Sequence, residues 1–149
     1  MMLRVLYLVV PLLSLAAGPC LAAMAEATPV TIQSIKDGGQ AIAPGTTVAQ
    51  VTGLRKGGDG FLSVRSAPDK TAPEIARLKP KELLIIALPP GDWEKAEYVG
   101  AILNRSGKGT DNMMADCKLS EAPPYFEGVY QGPCQTGWVA RRFVTVLAD

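Results

Sequence analysis

Six consecutive apolar residues, Leu83-Leu84-Ile85-Ile86-Ala87-Leu88, constrain the fold more than any other stretch of this 149-residue chain. A run of this length matches a strand covered on both faces. Lys79, Pro80 and Lys81 precede it and Pro89-Pro90 follow, as gatekeepers flank an aggregation-prone segment.

The chain around this run reads as short strands divided by turn residues. Residues 49–52 are a strand candidate ended by Gly53, and residues 55–60 form a loop whose glycines allow φ > 0. In residues 61–65, Leu62 and Val64 point one way, and Phe61, Ser63 and Arg65 the other. Residues 66–73 make a polar turn. Residues 74–78 make a strand stopped by Pro80, with a two-turn helix as the alternative. Gly91-Asp92 turns the chain, and residues 93–99 return as partner to the apolar run. Residues 104–134 leave regular structure, with four glycines and three prolines. Residues 137–140 resume strand character, Arg141-Arg142 turn, and residues 143–147 close the domain. Leu62, Val64, Ile75, Leu78, Ile85 and Val139 are the expected core. Strands of four to six residues without a convincing helix predict an all-β domain, a small barrel of short antiparallel strands.

The first 25 residues stand apart. Arg4 gives a short positive region, residues 5–15 are almost wholly apolar, and Ala23-Met24-Ala25 is an A-x-A cleavage pattern. The apolar stretch is shorter than the roughly 20 residues of a spanning helix and contains Pro11. Residues 1–25 are thus expected to be a signal peptide, leaving no integral membrane span after cleavage. Pro19 stands directly before Cys20, where lipoprotein signals carry a small residue, so Cys20 is expected to leave with the signal. Residues 26–48 supply one strand near 30–35 or act as a spacer.

Removing Arg4 leaves fourteen basic residues against fourteen acidic ones. A neutral chain without a basic stripe in its sequence does not read as a nucleic-acid binder or as a polybasic membrane ligand. Cys117 and Cys134 remain, and in an oxidising exported compartment an even count reads as a disulfide. The chain-entropy model gives it about 3 kcal/mol. A metal pair is the alternative. With no histidine and no C-x-x-C spacing, carboxylates would have to supply half the ligands.

Several segments, in order, resemble one family. Phe61-Leu62-Ser63-Val64-Arg65-Ser66-Ala67-Pro68 is similar to the L-x-V-R-S-G-P signature of bacterial SH3-like domains, and Leu78-Lys79-Pro80 to their L-x-P-G turn. Leu84 to Leu88 fits their apolar strand, and Gly91-Asp92-Trp93-Glu94-Lys95 their G-D-W-x-K segment. Thr136-Gly137-Trp138-Val139 and Arg142-Phe143-Val144 resemble T-G-W-V and R-Y-L. The matches cover residues 49–147, about two thirds of the chain. Ala67 and Lys81 stand where the family has glycine, so both turns are expected to manage without a residue free to take φ > 0. The larger departure is an insertion at about residues 100–135, which holds both cysteines. The resemblance implies an SH3-like domain over residues 49–149.

Chemistry by a catalytic residue finds little support. The absence of histidine removes Ser-His and Cys-His nucleophile systems, and a disulfide cysteine is no nucleophile. Asp92, Glu94 and Glu97 read as solvated surface. Residues 107–110 fail the phosphate-loop spacing, because Gly109 stands where Ser or Thr is required. The resemblance implies a non-catalytic exported module, needing no cofactor, that recognises cell-wall (peptidoglycan) or peptide ligands in the envelope. Asp59, Trp93, Tyr98 and Trp138 are the expected ligand groove. Trp93 and Trp138 serve either as half-buried barrel residues or as a binding platform. The alternative is a protein-interaction or inhibitory module acting through the insertion, with Tyr125, Phe126 and Tyr130 as anchors or simply as cover for one end of the barrel. The expected location is the periplasm, with release into the medium as the alternative.

Overall fold

The computed structural model describes residues 26–106 and 112–147; the expected signal peptide and the 107–110 stretch lie outside them. The described residues are mostly β, in eleven short strands. Seven form one antiparallel sheet in the order β11 (Val144–Val146), β4 (Thr46–Val51), β7 (Leu83–Ala87), β8 (Tyr98–Leu103), β10 (Gln135–Ala140), β5 (Leu62–Arg65), β6 (Glu74–Leu78). Strands β1 (Thr31–Ile32) and β9 (Gly128–Val129) pair separately, as do β2 (Ile35–Asp37) and β3 (Gln40–Ala43).

Alternation along the central strands builds two cores. Leu84 and Ile86 of β7, Val99, Ala101 and Leu103 of β8, and Val139 of β10 point into the first. Leu78 of one edge strand and Val144 of the other join the same buried cluster. A sheet whose two edges share one core must curl back on itself. Among the described residues no ladder joins β6 to β11, so the curl stops short of a closed barrel.

Ile85, Ala87 and Ile102 point the other way, into a second core with Val30 and Ile32 of the N-terminal segment. Met113 and Met114 of a short helix, α1 (Met113–Asp116), complete it with Cys117, Leu119 and Tyr130. The apolar run of residues 83–88 is therefore covered on both faces, and the insertion is half of its outer cover. The other half is residues 28–34, stitched to the insertion by the β1–β9 pair and by the Tyr130 amide donating to the Val30 carbonyl at 2.9 Å. Gly100 makes the seat possible, because a Cβ there would lie 2.6 Å from Val30 Cγ1.

Five expectations need correction. The partner of β7 is not residues 93–99: Trp93–Lys95 forms a 3-10 turn, and β8 begins at Tyr98. The Asp92 side chain causes the delay by capping that turn, accepting from the Glu94 amide. The insertion therefore starts after Leu103. Residues 26–48 are more than one strand or a spacer, since they hold β1, the β2–β3 hairpin and the start of β4. Ile75 is 41% exposed on the outer side of β6 rather than in the core, while Leu62, Val64, Leu78, Ile85 and Val139 are buried. Lys81 does take a left-handed conformation, with φ 68°, although it is not glycine; Ala67 does not.

Cys117 and Cys134 form a disulfide with Sγ atoms 2.03 Å apart. Such a bond marks an oxidising, extracytoplasmic environment. Among the described residues no helix is long and apolar enough to cross a membrane.

Candidate functional site: a basic, aromatic groove

A groove of about 730 Å³ lies between the glycine loop of residues 53–60, strand β5 and the 3-10 turn Arg141–Phe143. Gly57 and Gly60 take φ of 84° and 71°, so the loop bends where a side chain would be strained. Phe61, Tyr98 and Phe143 give the groove its aromatic surface, and Arg55, Arg65, Lys70 and Arg142 its charge. Asp59 is the one carboxylate among the lining residues. Two arginines stack on groove aromatics: Arg77 Cζ lies 4.0 Å from the Phe61 ring centre, and Arg142 Cζ 4.8 Å from that of Phe143. Arg65 is held in place by donating from Nη1 to the Ala72 carbonyl at 2.8 Å.

Of the four residues expected to form one groove, Asp59 and Tyr98 line it and the two tryptophans do not. Trp93 packs against the first core on the outside of its 3-10 turn, with Arg141 Cζ 4.3 Å above its ring. Trp138 faces the other side of the sheet, where its indole N–H donates to the Thr28 carbonyl at 2.8 Å. There it lines a smaller, mainly apolar cleft of about 320 Å³ with Pro29, Pro89 and Pro90, which Tyr98 also borders. Arg55, Phe61, Arg65, Lys70, Arg142 and Phe143 were not among the expected groove residues. The glycine loop was their one sequence signal. The cations at positions 55, 65, 70 and 142 meet only because β10 pairs with β5, setting Trp138 opposite Arg65.

The insertion's aromatics divide. Tyr130 is buried; its hydroxyl donates to the Cys117 carbonyl at 2.8 Å and accepts from the Cys134 amide at 3.2 Å. Burial also pushes its phenol up from the ordinary value. Phe126, half-buried, meets Tyr130 edge-on at 6.2 Å between ring centres. Tyr125 reaches the hairpin, donating to the Ile42 carbonyl at 3.3 Å. Glu127 ties the same two segments, accepting from Ser34 Oγ and pairing with Lys36 at 3.0 Å. Those contacts, the Ser34 hydrogen bond first, hold its carboxyl below the usual range.

Asp92, Glu94 and Glu97 do not form an acid–base pair. Asp92 caps its turn and pairs with Lys95 at 2.9 Å, and Glu94 lies 3.9 Å from Arg141. Among the described residues no cluster of metal-ligating side chains occurs. No family model matches the chain, and no curated protein or solved structure matches it.

Proposed function

We propose that this chain is a non-catalytic binding module of the cell envelope, an SH3-like barrel that holds peptidoglycan peptides or related peptide ligands in the basic, aromatic groove. One observation carries the reading: four cations and three aromatic rings converge on a groove with a single carboxylate, in a chain whose overall charge is balanced. Such a surface favours a chain that bears carboxylates and has apolar parts to lay on the rings. The curled sheet with one shared core supports the SH3-like assignment. The disulfide and the signal-like first 25 residues support export to the periplasm. A chain without histidine, with Cys117 and Cys134 joined, has few candidates for a nucleophile, which supports binding rather than turnover.

Retention of the purified protein on peptidoglycan sacculi tests this. The parent protein is expected to pellet with sacculi, and Arg142→Glu combined with Lys70→Glu to lower retention at least tenfold. Both residues are exposed, so the fold tolerates the change. Equal retention of parent and variant would reject the groove as the binding site.

A second reading, protein interaction through the insertion, has its own support. Val129 of the insertion and Ile35 and Ile42 of the hairpin are exposed apolar residues, and Tyr125 links the two segments. Its test is partner capture by Val129→Ser and Ile42→Ser; capture unchanged by both substitutions rejects it.

A further inference from the structure

Strand β6 is one of the two outer strands of the seven-stranded sheet and, among the described residues, pairs only with β5. Every second residue of an edge strand turns its N–H and C=O outward, ready to pair with another chain. Among the described residues no backbone hydrogen bond reaches Glu74–Leu78 from the open side. Pro73 and Pro80 bracket the strand, limiting the free edge to about five residues without covering it. Five residues at about 3.3 Å each expose roughly 17 Å of ladder.

Both ends of this edge are basic. Near its start lie Arg65 and Lys70 of the first groove. At its other end Arg77, Lys79, Lys81 and Arg105 line a second groove of about 540 Å³, with Glu82 its one lining carboxylate. The two grooves adjoin, because Ser63 of the first pairs with Arg77 of the second, and Arg77 lies over Phe61. Eight lysines and arginines thus line the two grooves against two carboxylates, Asp59 and Glu82. Glu74, the acidic residue of β6 itself, is engaged by Ser63 and Arg77.

We propose that β6 takes an extended acidic peptide as an added strand. The peptide backbone completes the ladder, and its carboxylates settle in the grooves at either end. This deepens the binding role proposed above and shares Arg65 and Lys70 with it, but the edge and the second groove stand apart from it. A peptide is the occupant because only a peptide supplies N–H and C=O groups at the ladder's spacing. It is acidic because the charge around the edge is basic. A second copy of this chain is disfavoured, since edge-to-edge pairing would bring basic grooves close to one another.

The probe is a fluorescein-labelled nine-residue peptide with two glutamates at each end and alternating valine and threonine between them. Its partner probe carries N-methyl groups on alternate residues, which removes outward amide donors and keeps the charge. Anisotropy is expected to show binding of the first peptide, at least tenfold weaker binding of the second, and shifted amide resonances within β6. Lys79→Glu with Lys81→Glu, two exposed positions, is expected to weaken the first peptide at least tenfold while leaving the urea midpoint nearly unchanged. Equal affinity for the two peptides overturns strand addition. So does sedimentation showing a dimer that the peptide cannot dissociate. Peptide binding retained in Arg142→Glu while sacculi are lost supports this site by itself. Sacculi retained with no peptide binding overturns this inference and leaves the proposed function standing.

Discussion

Replacing Tyr130 by Phe removes one oxygen and keeps the ring, and it separates two accounts of the insertion. If the insertion is a folded cover, that hydroxyl is the polar tie between the two cysteine segments. It donates to the Cys117 carbonyl at 2.8 Å and accepts from the Cys134 amide at 3.2 Å. Cys117 is fully buried, so its carbonyl would lose a partner where water has little access. A buried group left unsatisfied costs about 1–3 kcal/mol. Cys134 is only half-buried, so water recovers much of the loss there. The expected destabilisation is about 2 kcal/mol, which for a domain of this size lowers Tm by roughly 5–10 °C. Urea unfolding followed by far-UV circular dichroism, with the disulfide intact, measures it; the slope m should not change. Tyr125→Phe is the internal control, because its hydrogen bond is exposed and 3.3 Å long, and it should move stability by less than about 0.5 kcal/mol. The two variants should also differ in alkali. Burial raises the Tyr130 phenol above 10.0, so its contribution is complete below pH 10 and is lost as pH rises through the folded value. Tyr130→Phe should lack that part of the alkaline decline. A change below about 0.5 kcal/mol for Tyr130→Phe would refute the cover as a buried, hydrogen-bonded unit.

Three further outcomes are expected. Cys117→Ala with Cys134→Ala should lose about 3 kcal/mol of stability in urea titrations, and adding reductant to the parent should reproduce that loss. Lys81→Gly should raise the urea midpoint by the equivalent of about 0.5–1 kcal/mol, since a side chain at φ 68° is strained and glycine is not; a lower midpoint would mean that the lysine side chain stabilises its turn. The carboxyls of Glu127, hydrogen-bonded first by Ser34, and of Glu74, hydrogen-bonded first by Ser63, lie below the ordinary 4.5. Lowered carboxyls contribute above their unfolded value, so stability should decline as pH falls below about 4.5. Glu127→Gln with Glu74→Gln should flatten that decline, as followed by thermal melts between pH 3 and 7.

The most apolar segment was the most legible. Residues 83–88 demand cover on two sides, and the structure gives Leu84 and Ile86 to one core and Ile85 and Ala87 to the other. The disulfide was legible from two cysteines in a chain that reads as exported. Strand β8 was misplaced because Trp93 drew the strand toward itself. The clean alternation lies downstream, where Val99, Ala101 and Leu103 face the first core, while Asp92 to Lys95 prefer a capped turn. The groove was half legible. A glycine loop announces a bend, but cations separated by up to 87 positions in sequence, from Arg55 to Arg142, meet only through the order of strands in the sheet. A net charge of +1 carries no information about where each sign goes.

The same two-sided strand decides what the insertion can be. Ile85 and Ile102 are completely buried under Met113, Met114, Leu119 and Tyr130, so the insertion is part of the solvent shield of the central strands. Deleting residues 104–132 would therefore expose the outer faces of β7 and β8, two long neighbouring apolar strands, and would invite aggregation whatever the insertion binds. Loss of partner capture in that deletion would say nothing about recognition. Substitutions confined to the insertion's outer side, at exposed Val129 and half-buried Tyr125, keep the shield in place. Only there does lost capture with an unchanged urea midpoint separate a binding role from a covering one.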